Sequence, residues 1–133
     1  MRIHLITPPE IPGFLSDRDK AGGLGVMFPL NARYRYRALT PPMDWLYAGA
    51  VALERGWDVT LIDAPAEGLD LEGIVARLKA DPPDRLGIRL SLPSLSEDLA
   101  LVKAIKRALP ALEVFGFGNV IRTTHALWLE GSG

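Results

Sequence analysis

The sequence contains no cysteine. Disulfides, thiolate metal sites and an iron–sulfur cluster held by this chain are therefore excluded. Long hydrophobic runs are also missing: the apolar stretch 3–6 is too short for a signal peptide, and nothing approaches the length of a membrane span. Charge of one sign is not in excess, since the formal net charge is -1, so no nucleic-acid partner is indicated. A cytoplasmic location follows only as the default.

What is present is sufficient for a folded core. The chain has 133 residues, of which 48% are hydrophobic. That length favours one domain, spanning residues 1–133, and the apolar content is enough to bury a substantial core.

Apolar runs alternate with amphipathic segments. The predicted strands are residues 2–7, 57–62, 85–91 and 112–116. Prolines 41 and 42 precede the first predicted helix, which Asp44 favours through the helix dipole and Gly56 ends. Its expected apolar face, taken from the three- and four-residue spacing, is Met43, Leu46, Tyr47, Ala50 and Leu53.

Two further helices are predicted. Asp70 caps one of them. The segment 94–97 reads as a capping box with Ser94 as its first residue, and it opens the other. The expected inward residues of that helix are Leu95, Leu99, Val102, Ile105 and Leu109. A short helix is also suggested at 126–130.

The alternation predicts a flavodoxin-like, doubly wound α/β fold, in which helices cover both faces of a parallel sheet with strand order 2-1-3-4. In such sheets, ligands bind beyond the carboxyl ends of the strands. The candidate cofactor-binding residues lie at the carboxyl ends of three of the strands: Thr7, Pro8, Pro9, Ser91, Leu92, Pro93, Ser94, Gly116, Phe117, Gly118 and Asn119.

Residues 10–39 form a long segment rich in glycine and proline, without a helical or strand period. We expect an irregular loop at the ligand face. The run Gly22-Gly23-Leu24-Gly25 resembles the glycine loop of sugar-nucleotide transferases, although chain flexibility explains it equally well. The run Arg33-Tyr34-Arg35-Tyr36-Arg37 reads as solvated loop charge, or alternatively as a substrate or partner surface.

Four motifs in order resemble the N-terminal cobalamin-binding domain of B12-dependent radical S-adenosylmethionine enzymes. They are "HLITPP", "TPPMDWLYAGAVALERGWDVTLIDA", "PPDRLGIRLSLPSLSEDLALVKAIKRALP" and "VFGFGN". The resemblance covers most of the chain outside residues 10–39. It implies a cobalamin-binding module whose cofactor serves a radical domain elsewhere in a longer parent enzyme, with methyl transfer as the expected chemistry.

The sequence departs from that family's pattern at three places, and these differences add expectations about the cofactor and the parent protein. The Asp-x-His-x-x-Gly loop of cobalamin mutases is absent, so the resemblance implies a corrin with its dimethylbenzimidazole tail displaced and no protein histidine on cobalt. The usual Gly-Gly-Pro-His after the fourth strand reads Gly116-Phe117-Gly118-Asn119. A fifth strand and the cysteine motif for a 4Fe-4S cluster and S-adenosylmethionine are missing, so we expect a fragment of the parent that binds neither.

The remaining polar residues have ordinary explanations. His4 and His125 are isolated and do not make a zinc site. Asp63 ends a strand without the glycine motif of dinucleotide folds, which favours a turn or cap role. Arg89 within a buried strand requires a partner, either an acid such as Glu67 or Asp98 or a ligand.

No catalytic set is visible, so this chain alone is not expected to be catalytic and the cofactor would carry the chemistry. Two other readings stay open. One is a nucleotide- or sugar-nucleotide-binding half of a transferase, and the other is a regulatory domain without a ligand.

Overall fold

A computed structural model of the chain describes residues 1–18, 24–29, 41–122, 125–126 and 130. The strands are β1 (Arg2–Thr7), β2 (Phe14–Asp17), β3 (Val26–Pro29), β4 (Asp58–Asp63), β5 (Arg85–Arg89) and β6 (Glu113–Phe117). The helices are α1 (Met43–Glu54), α2 (Ala64–Glu67), α3 (Leu71–Ala80) and α4 (Leu95–Ala108).

The main sheet has four parallel strands in the order β4-β1-β5-β6. Counted among the sheet's own strands, this is the expected order 2-1-3-4, and the flavodoxin-like α/β prediction is confirmed. Asp70 caps α3 by accepting a hydrogen bond from the Gly73 N–H at 2.8 Å, and Gly56 ends α1 at a φ of 75°. Local signals therefore set these element ends as the sequence indicated.

The larger core lies between the sheet and the helices α3 and α4. Strand residues such as Ile6, Leu86 and Ile88 pack there against Ile74 of α3 and Ile105 of α4. All five side chains are fully buried, and Leu86 and Ile88 place the two large apolar side chains of β5 on this face of the sheet.

The opposite face of the sheet is covered by α1, but the helix is turned differently from the expectation. Its buried residues are Trp45, Gly49 and Ala52. The predicted face was wrong: Met43, Leu46, Tyr47, Ala50 and Leu53 are exposed, Tyr47 by 69% and Leu53 by 59%.

A single large side chain explains that rotation. Trp45 packs on Ile3 and Leu5, and its indole Nε1–H donates to the Ile6 carbonyl at 3.0 Å. Gly49 is buried on the same face, and a Cβ there would make an ordinary contact with Val59 at 3.4 Å. Burial of one tryptophan with its hydrogen bond outweighs burial of several smaller residues on the other side of the helix.

The segment 10–39 is not irregular throughout, which corrects the expectation. Strands β2 and β3 form a two-stranded antiparallel hairpin, in which Leu15 pairs with Phe28 and Ser16 with Met27. Each strand has only four residues, too few to produce a readable period.

Some sequence expectations lie outside the described residues. These are Gly22, Gly23, the run 33–37 and most of the suggested helix 126–130. Within the described part of the chain, every helix is too short or too polar to span a membrane.

Candidate functional site

The carboxyl ends of β1, β5 and β6 meet at one edge of the sheet. Arg89 pairs with Phe117, and Thr7 follows Ile6, which pairs with Ile88. Because side chains alternate along strands, Thr7, Arg89 and Phe117 form a row on the face that α1 covers. The Trp45 and Phe117 rings, 4.8 Å apart between centroids, bring α1 against this row.

A pocket of about 400 Å³ opens at the β5–β6 end of the row. Four of the predicted site residues line it: Gly116, Phe117, Gly118 and Asn119. Among the described residues, Asp44, Arg89, Ile121 and Arg122 also line it. The pocket is therefore framed by two arginines and a glycine-containing turn, with one carboxylate at its border.

Glycine at 118 is required by the turn that shapes this pocket. Its φ is 135°, and a Cβ there would lie 2.7 Å from the Leu90 carbonyl oxygen. The Leu90 N–H donates to the Phe117 carbonyl at 2.8 Å, which holds the turn beside the end of β5. A larger residue would strain the backbone and push the two segments apart.

Arg89 is buried, with its side chain 4% exposed, and its Nη2 lies 3.2 Å from Oδ2 of Asp44 in the first turn of α1. The prediction that it pairs with an acid is confirmed, but the acid is different. Of the two expected partners, Asp98 pairs with Arg18 and Glu67 with Arg77.

A buried polar network closes the neighbouring part of the edge. The guanidinium of Arg18, just after β2, donates to both oxygens of Asp98 at 2.8 and 3.0 Å and to the Ser91 hydroxyl at 3.2 Å. Asp98 also accepts from the Ser91 N–H at 3.1 Å and from the Ser94 hydroxyl at 3.1 Å. Burial raises the pKa of Asp98, while Arg18 and these donors oppose the rise.

The capping-box prediction for α4 is wrong because the same polar network engages Ser94. The Ser94 side chain makes no cap hydrogen bond, because its hydroxyl is engaged with Ser91 and Asp98. The Glu97 carboxylate accepts from the Ser96 hydroxyl instead of returning to the helix start. Competition from a buried carboxylate outweighs the local capping preference.

The hairpin also covers the segment that follows β5. The Leu92 N–H donates to the Leu24 carbonyl at 2.8 Å. A Cβ on Gly25 would lie 2.7 Å from the Ser91 Cβ, so glycine at 25 leaves room for the Ser91 side chain. Ser91 and Ser94 are fully buried and face protein in this arrangement, and their assignment as ligand contacts stays a prediction. Leu92 is exposed and Pro93 half-buried.

The predicted residues after β1 have different surroundings. Pro8 and Pro9 line a separate pocket of about 320 Å³, together with residues of α3 and α4 such as Leu71 and Leu101. Thr7 is buried, and its Oγ1 has no hydrogen-bond partner among the described residues. The structure therefore brings Gly116–Asn119 together, directs Pro8 and Pro9 elsewhere, and seals Ser91 and Ser94.

Neither histidine lines the β5–β6 pocket. His4 is buried in the middle of β1, 3.5 Å from Asp81, and burial lowers its pKa. His125 is exposed. Asp63 holds the N-cap position of α2, and burial raises its pKa. In the described residues, no group of three or more histidine or acidic side chains is placed to hold a metal ion.

Sequence reasoning missed Arg18, Asp44 and Arg122 as site residues. One signal was available for Arg18: Asp98 falls three and four residues before Leu101 and Val102, on the inward face of α4. A carboxylate at such a position requires a cation, although the pattern does not say which one. Arg122 carries no comparable signal, because its place follows from the turn at Gly118.

Comparison with known proteins adds no relative, since no family model, no curated protein and no solved structure matches this chain.

Proposed function

We propose that this chain is the cobalamin-binding module of a B12-dependent radical S-adenosylmethionine enzyme, a methyltransferase in its full form. The observation that carries the proposal is the pocket at the carboxyl ends of β5 and β6. Four residues singled out from the sequence, Gly116 to Asn119, line it together. The parallel order β4-β1-β5-β6 puts this pocket at the edge where such folds bind ligands.

The residues present fit part of a corrin cofactor. The pocket, at about 400 Å³, has the size of a site for a nucleotide-like group, so it would accept the nucleotide tail of the cofactor. Gly116 and Gly118 leave backbone accessible for close approach. Thr7 Oγ1, buried and without a partner among the described residues, is suited to an amide at the rim of the ring.

The segment after β5 would support the ring. Ser91 and Ser94 are held by Arg18 and Asp98, so they contribute indirectly by fixing the segment after β5. Leu92, with 51% of its surface exposed, remains as an apolar support for the ring. Neither His4 nor His125 lines the pocket, and cobalt without a protein nitrogen stays a prediction of the resemblance.

The division of labour follows from these contacts. Cobalamin, when bound, supplies a cobalt centre that carries a methyl group. This chain binds the tail, supports the ring and keeps both against the sheet edge. The 4Fe-4S cluster and S-adenosylmethionine belong to the radical domain of the parent, which is also the expected protein partner. We place the protein in the cytoplasm as part of the same proposal.

A nucleotide- or sugar-nucleotide-binding half of a transferase is the second candidate. The specific observation in its favour is that Arg89 and Arg122 line one pocket, a pattern suited to a diphosphate. The glycine run gives it less support, because Gly25 is packed against Ser91. A regulatory domain without a ligand is the third.

Thermal unfolding with added ligands separates the three candidates. A ligand that binds only the folded state raises the melting temperature by mass action. We expect hydroxocobalamin to raise it and uridine or adenosine diphosphate to leave it unchanged. The reverse result would favour the transferase reading, and no effect from either ligand would favour the regulatory one.

A further inference from the structure

Helix α1 carries apolar side chains on two sides. Trp45 faces the sheet, yet four further apolar residues follow the helix on a side that solvent reaches: Met43, Leu46, Ala50 and Leu53. We call these four residues the α1 ridge. Its three large side chains are between 41% and 59% exposed. A helix that is apolar around most of its circumference is normally buried, so the α1 ridge indicates an interaction surface.

The spacing of the α1 ridge indicates what kind of surface covers it. Its residues follow one another at steps of three, four and three positions, which is the alternation that lines up side chains for packing against another helix. The ridge also runs along almost the whole of α1, which has 12 residues and is therefore about 18 Å long. The matching partner is a helix that lies along α1.

A second copy of α1, running in the opposite direction, is complementary to the ridge. In an antiparallel pair whose two-fold axis passes beside Ala48, Leu46 faces Ala50 of the second copy. Met43 faces Leu53 of the second copy in the same arrangement. A large side chain therefore meets a small one near the axis, as interdigitating layers require, and the same contacts recur on both sides of the axis.

Charge at the helix ends favours the antiparallel direction. Glu54 is exposed at the last residue of α1, and in an antiparallel pair it lies near the start of the second helix. The helix dipole is positive there, and Pro42 provides no side-chain cap. A parallel pair would instead bring the two Glu54 carboxylates together. Asp44 in the first turn does not interfere, because its carboxylate is directed to Arg89.

We propose that the α1 ridge is a self-association surface, through which two copies of this chain form an antiparallel helix pair. The proposal goes beyond the cobalamin function and does not depend on it, since no cofactor takes part in the contact. A contact along one short helix is smaller than the roughly 800 Å² per partner of a standard interface. We therefore expect a reversible dimer that forms at protein concentrations of about 0.1–1 mM.

Sedimentation equilibrium over a range of protein concentrations tests the surface. Leu46→Glu is the test variant, because it places a charge on the ridge. Val51→Glu is the matched control, since Val51 is 45% exposed on the same helix but borders the groove beside Phe115 instead of the ridge. We expect Leu46→Glu to weaken dimerisation by about tenfold or more and Val51→Glu to change it by less than about twofold. Both dilute variants should keep the wild-type melting temperature.

Disulfide cross-linking tests the direction of the pair, because the chain has no cysteine of its own. The single-cysteine variants Met43→Cys and Leu53→Cys are oxidised separately and as a mixture. Only the mixture should give a cross-linked dimer. In the antiparallel pair, the two copies of either position are about 15 Å apart along the helix axis, which is beyond the reach of a disulfide.

Other results overturn the inference. A monomer at every concentration up to about 1 mM would contradict self-association. Cross-linking of Leu53→Cys with itself would contradict the antiparallel pair. Equal weakening by Leu46→Glu and Val51→Glu would place the contact elsewhere or reduce the effect to overall charge. A large fall in the melting temperature of dilute Leu46→Glu would mean that the chain covers the ridge itself, and this result would also reject the proposal.

Discussion

The guanidinium of Arg18 and the carboxylate of Asp98 form a buried two-point ion pair, with Nη1–Oδ2 at 2.8 Å and Nη2–Oδ1 at 3.0 Å. The pair joins the β2–β3 hairpin to α4. It also fixes Ser91 and Ser94, because both serines donate to the same carboxylate. The packing around Ser91 and Ser94 therefore depends on one ion pair. Its cation, Arg18, comes from the segment 10–39, which the sequence predicted to be irregular.

Replacing Arg18 by Met should destabilise the protein by about 3–5 kcal/mol at pH 7, because it leaves a buried carboxylate without its cation. The same change at an exposed pair is the control. Arg85→Met breaks the ion pair with Glu113. The Arg85 and Glu113 side chains are 45% and 62% exposed, so this change should lower the free energy of unfolding by less than about 1 kcal/mol. Urea denaturation gives both values.

The loss in Arg18→Met should also depend on pH. Burial raises the pKa of Asp98, and Arg18 opposes that rise, so the variant has a still higher folded-state pKa. Its folded state binds the proton more tightly than the unfolded chain, and its stability falls as pH rises between the two pKa values. The deficit relative to the wild type should be smaller at pH 5 than at pH 7. An equal deficit at both would contradict a charge-based role.

The orientation of α1 is tested by alanine substitutions on its two faces. Trp45→Ala removes a buried ring and its bond to the Ile6 carbonyl and should cost about 3–5 kcal/mol. Leu53→Ala, at a position 59% exposed, should change stability by less than about 0.5 kcal/mol. Comparable losses from the two variants, measured by chemical denaturation, would restore the helix face expected from sequence.

Gly118→Ala should destabilise the fold more than Gly56→Ala. Both glycines have positive φ, 135° and 75°, but only at 118 does a Cβ meet backbone, the Leu90 carbonyl at 2.7 Å. The conformational cost alone is about 1–2 kcal/mol, and the clash adds to it at 118. Equal losses in thermal unfolding would mean that the turn at Gly118 does not lie against β5.

The buried His4 predicts a loss of stability at mildly acidic pH. Burial lowers its pKa, with Asp81 opposing, so the folded state resists protonation while the unfolded chain accepts a proton below about pH 6.5. Stability is fully present above that pH and declines as pH falls towards the folded-state pKa. His4→Leu should flatten the decline between pH 7 and 5.5, whereas His125→Gln, at an exposed position, should retain it. If the stability of the wild type and of His4→Leu changed equally with pH, the assignment of the acid-dependent loss to His4 would be refuted.

The sheet could be predicted because its strands are short apolar runs bounded by strong local signals. Asp70, Gly56 and the prolines set helix ends through contacts and backbone angles within one helical turn. The order of the parallel strands follows from the right-handed crossovers. The face of α1 could not be predicted from periodicity, because Trp45 competes with several smaller apolar residues. The burial of Trp45 depends on its hydrogen bond to the Ile6 carbonyl, which lies 39 positions away.

The sequence predicted the residues of the candidate site only where they lie at the end of a strand. Gly116 and Phe117 end β6, Gly118 and Asn119 follow it, and all four line one pocket. Ser91 and Ser94 have the same kind of position, but Arg18, 80 residues from its partner Asp98, sequesters them. Which arginine reaches a buried acid depends on the hairpin path, and no local pattern in 10–39 encodes it.

A hydroxocobalamin titration of this chain, followed by visible spectroscopy, tests the cobalamin function most directly. A saturable spectral change is expected, with the benzimidazole displaced from cobalt and the same spectrum in His4→Leu and His125→Gln. A histidine-ligated spectrum that either substitution abolishes would contradict the histidine-free arrangement. The absence of any bound corrin at saturating concentration would contradict the cobalamin function itself.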